Sequence, residues 1–102
     1  MLITNKNELE NYSAENRIWQ GIPGIERTKG GRIFSVFYSG GTGEQIGNYV
    51  VLLKSDDDGK TFSEPIAVVY KAGKYRCYDA TLWIDPYGRL WLIWSVMPEH
   101  NV

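Results

Sequence analysis

The densest group of acidic side chains in this 102-residue sequence is Asp56-Asp57-Asp58, inside the segment SDDDGKTF (55–62). Clustered carboxylates first suggest a calcium loop, because Ca²⁺ is held by carboxylate and carbonyl oxygens. The EF-hand pattern would require an acidic ligand at the position of Lys54, together with flanking helices that the sequence does not predict. We therefore expect neither a metal site nor a cofactor here.

The same segment has the residue types of a tight hairpin turn. Asp57 can accept hydrogen bonds from backbone N–H groups of its own turn, and Gly59 can adopt the positive φ that such a turn requires. Thr61 can brace the turn through its hydroxyl group. The aspartates of this segment are accordingly expected to be structural and not catalytic.

A cysteine nucleophile is the second chemistry to consider, and the sequence argues against it. The chain has one cysteine, Cys77, and one histidine, His100, which lies in the C-terminal tail. A cysteine nucleophile is usually activated by a nearby base. A single cysteine also cannot form an intramolecular disulfide, so nothing indicates an oxidising compartment.

Apolar and aromatic segments separated by glycine turns predict six strands. The N-terminal segment 1–15 is polar and is predicted to form a short helix or an ordered arm. Since the connections are short, the sequence predicts an antiparallel all-β fold. The predicted strands are Ile22–Thr28, Arg32–Ser39, Asn48–Lys54, Pro65–Tyr70, Asp79–Ile84 and Arg89–Val96.

An internal repeat links the first predicted hairpin to the last. The segment GRIFSVF (31–37) matches GRLWLIW (88–94) position by position, and Ile25 aligns with Leu82 at the same spacing. Four-stranded units that repeat along a chain are typical of β-propeller blades. The first unit has four predicted strands and the second has two.

Residues 55–62 fit the pattern S-x-D-x-G-x-T-[W/F], which is the Asp-box or BNR repeat. With the blade repeat, the chain from about Arg17 to Val96 resembles sialidases and related β-propellers. The resemblance implies antiparallel four-stranded blades of a six-bladed sialidase-type β-propeller, of which this chain supplies about one and a half. It also implies that Phe62 seals the base of the blade. The implied structural Asp-box residues are Ser55, Asp57, Gly59, Thr61 and Phe62.

The resemblance also implies a division of the chain within one partial propeller domain (1–102). Residues 1–16 form an N-terminal arm, residues 17–71 form blade one, and residues 72–102 form the first half of blade two. In sialidases the active site lies at the centre of the ring, on the face opposite the Asp-boxes. Alternation of strand direction puts the glycine-rich loop after Ser39 and the connection before Asp79 on that face.

Two carboxylates on this face are the candidate catalytic groups. Glu44 is the only carboxylate of the glycine-rich loop, which matches the loop that carries the acid/base of sialidases; the alternative is a solvated loop glutamate. Asp79 begins the innermost strand of the second blade and is expected to point toward the central channel; the alternative is a structural, hydrogen-bonded aspartate. Glycoside hydrolysis requires a carboxylic acid near the scissile bond and a nucleophile or base.

Three further residues are expected to bind substrate on the same rim: Gln20, Arg76 and Tyr78. The segment WQGIP (19–23) is similar to the F-R-I-P strand of sialidases, whose arginine binds the sugar carboxylate. Gly21 stands at the arginine position, so sialic acid is not expected to be the substrate.

Two functions remain open on this resemblance. The first is the N-terminal part of a sialidase-like glycoside hydrolase that acts on glycans and is inactive alone. The second is a non-catalytic glycan-binding or interaction module. A carbohydrate is the expected ligand in both.

Charge and hydropathy restrict the other partners. A formal net charge of −1 at pH 7 argues against nucleic acid and against an anionic membrane surface. The sequence has no apolar run of about 20 residues and no signal-peptide pattern, so a cytoplasmic location is expected. The predicted edge strand RLWLIWSV (89–96) is expected to cause self-association.

Overall fold

The computed structural model describes residues 1–98, which form an antiparallel all-β fold with 47% of residues in strands and 10% in helices. None of the helices in this part of the chain is long enough to cross a membrane. The elements in chain order are β1 (Leu2–Ile3), α1 (Lys6–Leu9), two 3₁₀ turns (Glu10–Tyr12 and Ala14–Asn16), β2 (Gln20–Arg27), β3 (Ile33–Ser39), β4 (Tyr49–Ser55), β5 (Ala67–Val69), β6 (Tyr75–Ile84) and β7 (Leu90–Pro98).

The strands belong to two sheets. The larger has the order β1-β5-β4-β3-β2, and the smaller is the hairpin β6-β7; every pairing is antiparallel. Strands β2 to β5 are joined as successive hairpins, as expected for the first unit. The N-terminal arm adds β1 to the outer edge, where Leu2 pairs with Val69. Asn5 caps α1 by accepting a hydrogen bond from the N–H of Asn7 at 2.9 Å.

The larger sheet is covered on both faces. On one face Val36, Tyr38, Val50 and Val69 pack against residues of β6. On the other face Tyr49, Val51, Leu53 and Val68 pack against Leu9 of α1 and against Tyr12. The molecule therefore has three layers in the order helical arm, five-stranded sheet and two-stranded hairpin.

The sequence repeat corresponds to a structural repeat of two hairpins. In the β2–β3 turn the N–H of Thr28 donates to the carbonyl of Arg32 at 2.9 Å, and in the β6–β7 turn the N–H of Asp85 donates to the carbonyl of Arg89 at 3.0 Å. These two pairs are equivalent in the sequence repeat. Each first strand also has a bulge, between Gly21 and Gly24 in β2 and between Tyr78 and Thr81 in β6.

The start of β6 corrects the prediction. The sequence analysis begins this strand at Asp79, whereas β6 begins at Tyr75 and contains Asp79 at its bulge. Backbone hydrogen bonds explain the earlier start, since Gly47 N–H donates to the Tyr75 carbonyl (2.9 Å) and Cys77 N–H donates to the Asn48 carbonyl (3.0 Å). Arg76 and Tyr78 are consequently strand residues and not part of a loop.

Strand β5 is shorter than predicted. It covers Ala67–Val69, where the sequence predicts a strand from Pro65 to Tyr70. Pro65 lacks an N–H group and cannot donate to the ladder. The residues that flank β5 still form backbone hydrogen bonds with its neighbouring strands. The N–H groups of Ile66 and Tyr70 donate to the carbonyl oxygens of Leu52 and Met1, each at 2.9 Å.

Candidate functional site

The two groups of carboxylates lie at opposite ends of the larger sheet. The loop that carries Glu44 joins β3 to the start of β4, and the turn that carries Asp57 follows the end of β4. A seven-residue strand is about 20 Å long, so these groups are well separated. The predicted division into two faces therefore agrees with the structure.

Glu44 is held by side chains from β3 and β6. One carboxylate oxygen accepts a hydrogen bond from the hydroxyl of Tyr38, and the other lies 3.9 Å from Nη1 of Arg76. The Glu44 side chain is 49% exposed, so it remains accessible from solvent. The contacts differ from those of a glutamate that is merely solvated on a loop.

Tyr38 is a site residue that the sequence analysis missed. Its side chain is fully buried, and the pKa of the hydroxyl is raised to about 12. Burial is the main cause; the hydrogen bond to Glu44 and the negative charges of Glu44 and Asp79 add to it, while the charge of Arg76 acts in the opposite direction. The hydroxyl therefore keeps its proton at neutral pH and orients Glu44 as a donor.

Aromatic rings surround this contact. The Arg76 guanidinium lies 4.2 Å from the centre of the Tyr78 ring, and the Tyr78 ring lies 6.4 Å from that of Tyr38 in an edge-on arrangement. The Trp19 ring lies 5.4 Å from that of Tyr38. A guanidinium stacked on a ring is fixed in orientation. Arg76 is thus a preorganised cation beside Glu44.

Asp79 lies next to this group at the bulge of β6. Its φ is 46°, a left-handed conformation that non-glycine residues adopt rarely. The side chain is exposed, and its charge is close enough to Tyr38 to raise the pKa of that hydroxyl. Glu44, Arg76 and Asp79 therefore converge on one end of the molecule, as the alternation of strand direction predicts.

Gln20 lies at the same end but outside the contact between Glu44 and Arg76. It is the first residue of β2 and pairs with Ser39, where the glycine-rich loop begins. Its side-chain oxygen accepts a hydrogen bond from Nε of Arg17 at 3.2 Å. Gln20 is exposed and belongs to the rim of the site.

Asn48 organises the glycine-rich loop, and it too was missed. Its buried amide nitrogen lies within 3.2 Å of the carbonyl oxygens of Ser39, Gly40 and Gly43, and its amide oxygen accepts from the N–H of Gln45 at 2.8 Å. An asparagine directly before an apolar strand, after a glycine, is the sequence signal that could have indicated this role. The loop is thereby closed on itself and holds Glu44 beside β6.

The position of Gly21 is filled by a neighbouring ring. A Cβ atom built on Gly21 would lie 3.0 Å from the Trp19 indole. A larger side chain at this position would have to displace Trp19.

The turn at residues 55–62 has the predicted hydrogen bonds. Asp57 accepts from the N–H of Thr61 at 2.9 Å and from its hydroxyl, and Ser55 Oγ donates to Asp57 at 2.8 Å. These bonds lower the pKa of Asp57 to about 2, with the Thr61 hydroxyl as the largest cause. Gly59 has a φ of 84°, as the turn requires. The prediction for Phe62 is wrong, because its side chain is 42% exposed and does not seal the sheet.

The other two aspartates of this turn form ion pairs with arginine and lysine side chains. Asp56 lies 2.6 Å from both Nε of Arg32 and Nζ of Lys54, and Asp58 pairs with Arg27. Within residues 1–98, no three His, Cys, Asp or Glu side chains are grouped as metal ligands. The acidic cluster is therefore a network of ion pairs around a hairpin turn.

Cys77 is fully buried in the core between the two sheets, and burial raises the pKa of its thiol. A buried thiol that keeps its proton is a poor nucleophile. His100 lies outside the described residues.

A separate groove of about 710 Å³ lies between the helical arm and the β4–β5 connection. Its apolar lining includes Leu9, Pro65 and Ile66. None of the predicted site residues lines it. The group around Glu44 is instead an open rim at the end of the sheets.

We compared the chain with protein-family models, with curated proteins and with solved structures, and none of the three comparisons gave a match. The functional interpretation therefore rests on the fold and on the geometry of the site.

Proposed function

We propose that this chain is the N-terminal part of a sialidase-like β-propeller that acts on glycans, with its sugar site at the rim formed by Glu44, Arg76, Tyr78 and Asp79. The observation that carries the proposal is the preorganised contact between Glu44 and Arg76, at the end of the sheet opposite the Asp-box turn. In a six-bladed ring of about 24 strands, β2 to β5 form blade one and β6–β7 begin blade two.

The chemistry of the rim is suited to a sugar. Carboxylate and guanidinium groups bind hydroxyl groups with charge-assisted hydrogen bonds, and the partly buried rings of Tyr78 and Trp19 lie close by. The charges of Glu44, Arg76 and Asp79 sum to −1, which favours neutral or basic sugars over acidic ones. Sialosides are therefore expected to be poor ligands.

Hydrolysis would use Glu44 and Asp79 as the pair of carboxyl groups, in the whole protein and not in this chain alone. Glu44 would act as acid/base toward the glycosidic oxygen, with its position set by Tyr38. Asp79 would act on the opposite face of the sugar ring from Glu44, or would hold the sugar in place.

A non-catalytic glycan-binding module is the second candidate, and one observation favours it. Glu44 accepts a hydrogen bond from Tyr38 and faces Arg76, which is the arrangement of a fixed hydrogen-bond acceptor. A general acid must instead present its own proton to the leaving group. Turnover separates the two candidates, because only the hydrolase cleaves what it binds.

The proposal is tested by titrating the chain with neutral mono- and oligosaccharides while recording amide NMR spectra. We expect shifts at residues 43–48 and 75–79, and a loss of binding of about tenfold or more in Glu44→Gln. Glu64→Gln is the control, because it makes the same change in the connection between β4 and β5, away from the proposed site. This variant should bind as the wild type does. Absence of binding by any saccharide, or equal binding by both variants, would refute the site.

A further inference from the structure

Strands β2 and β7 are both long edge strands in the described part of the chain, but they differ in how they are protected. Strand β2 is interrupted by a bulge, contains Pro23 and carries the charges of Glu26 and Arg27. Strand β7 has nine residues, LWLIWSVMP, with no charged side chain and no extra residue of its own. Charges, proline and bulges are the devices that keep edge strands from pairing with other chains. Strand β7 lacks them except for Pro98 at its end.

The structural repeat shows which side of β7 is open. Strand β3, which corresponds to β7 in the repeat, pairs with β2 on one side and with β4 on the other. Its pairing with β4 extends from Ile33 to Ser39. Strand β7 pairs with β6 alone in the described part of the chain. Its free side thus corresponds to the side on which β3 carries an antiparallel strand.

Large apolar side chains project from both faces of this edge. Trp91, Ile93, Trp94 and Val96 are each between 37% and 53% exposed. An added strand would cover part of each of them while pairing with the free N–H and C=O groups. An exposed, long and uncharged edge of this kind favours association.

The described residues of a second copy offer only one suitable strand to this edge. Strands β3, β4 and β5 are already paired on both sides, and β1 has two residues. Strand β2 is interrupted by its bulge and Pro23. The backbone of Gly47 and Asn48 holds the other side of β6 only at Tyr75 and Cys77, but pairing of β6 with β7 of another copy would be heterologous and would not close. The strand that gives a closed contact is β7 itself.

We propose that two copies of this chain associate by antiparallel pairing of β7 with β7 of the second copy. The contact is isologous, with its two-fold axis near Trp94, the middle residue of the strand, and it forms a four-stranded sheet of two hairpins. No like charges oppose each other across it. The association uses none of the residues of the proposed glycan site, but it uses the edge that the third strand of blade two would take in a complete propeller, so the two pairings of β7 exclude each other.

Size-exclusion chromatography with light scattering tests this. The wild-type chain is expected at twice its mass of 11.7 kDa, and Ile93→Lys, which adds a charge to the edge, is expected at the monomer mass. Ile25→Lys is the matched control, since Ile25 is 68% exposed on the protected strand β2, and it should stay dimeric. Val96→Lys should act as Ile93→Lys does, and circular dichroism establishes that each variant is folded.

Three results would overturn the proposal: a wild-type monomer at every soluble concentration, a folded Ile93→Lys or Val96→Lys that remains dimeric, or open-ended oligomers, which a closed two-fold contact does not allow. Hydrogen exchange gives an independent readout. Amides on the free side of β7 should be protected in the wild type and exchange about tenfold faster or more in Ile93→Lys, while those of β3 should be unchanged.

Discussion

Ile22 and Asp79 occupy the same position in two equivalent hairpins, with φ angles of 47° and 46°. They correspond to each other in the sequence repeat, and each lies at the bulge of the first strand of its hairpin. A β-branched residue is a poor choice for this conformation, so the hairpin geometry imposes it. In the second hairpin the same strained position carries a carboxylate at the candidate site, and such positions are common at functional sites.

The first prediction follows from this strain. Ile22→Gly should raise the free energy of unfolding by about 0.5–1 kcal/mol, because glycine adopts positive φ without the steric cost of an L side chain. The Ile22 side chain is 53% exposed, so little packing is lost. Urea denaturation measures the change. Ile18→Gly is the control: Ile18 is more exposed but has no positive φ, and its replacement should not stabilise the protein.

Acid should weaken the fold through Asp57 and Asp85. Asp85 accepts from the N–H groups of Tyr87 and Arg89 and from Nε1 of Trp91, and both carboxyl groups have pKa values lowered to about 2 from an ordinary 3.8. A lowered folded-state pKa stabilises the fold above the ordinary pKa, and this contribution is lost as the pH falls from about 4 toward 2.

Urea denaturation at a series of pH values tests the acid prediction. Asp57→Asn should reduce the slope of stability against pH in this range, and the double variant with Asp85→Asn should reduce it further. Slopes equal to that of the wild type would mean that these carboxyl groups are not hydrogen-bonded as described.

Local chemistry explains which parts of the structure could be predicted. Strands β2 to β7 follow from apolar segments and glycine turns, and the Asp57 turn follows from residues within a few positions of one another. The repeat predicted the equivalence of the hairpins at Thr28 and Asp85. The strands and the turn depend on neighbours in the chain, and the equivalence of the hairpins depends on similarity between two short segments.

The roles that were missed depend on contacts between distant segments. In the sequence pattern Tyr38 resembles the other apolar residues of its strand, and only the folded loop brings Glu44 to its hydroxyl. Asn48 has the residue type and position of a turn residue, although its side chain closes the loop. The early start of β6 arises because the loop backbone pairs with Tyr75 and Cys77, which no local pattern encodes. Phe62 fits the turn motif, but its 42% exposure depends on what the fold places beside it, which the motif does not specify.

Alkaline pH should destabilise the protein through Tyr38. Its folded-state pKa of about 12 exceeds the ordinary 10, so the stabilisation is complete below pH 10 and is lost as the pH rises from about 10 to 12. Tyr38→Phe should flatten the stability profile in this range. Glu44→Gln should make this loss smaller without abolishing it, because burial and not the carboxylate is the main cause of the raised pKa of Tyr38. If the profile of stability against pH were unchanged in both variants, the hydrogen bond between Tyr38 and Glu44 would be contradicted.

The last prediction concerns the loop that holds Glu44. Asn48→Ala should lower the free energy of unfolding by about 1–3 kcal/mol, because the Asn48 amide is buried and its loss leaves loop carbonyls without a donor. Hydrogen exchange should also become faster at Gln45, whose N–H donates to the Asn48 side chain. Asn16→Ala is the control: its amide donates to the carbonyl of Glu10 on the exposed arm, so its loss should leave exchange in the loop unchanged. If Asn48→Ala unfolds more easily but still binds saccharide as the wild type does, the loop supports the fold without positioning Glu44. A parallel loss of stability and binding would establish that the buried amide sets the position of the carboxylate.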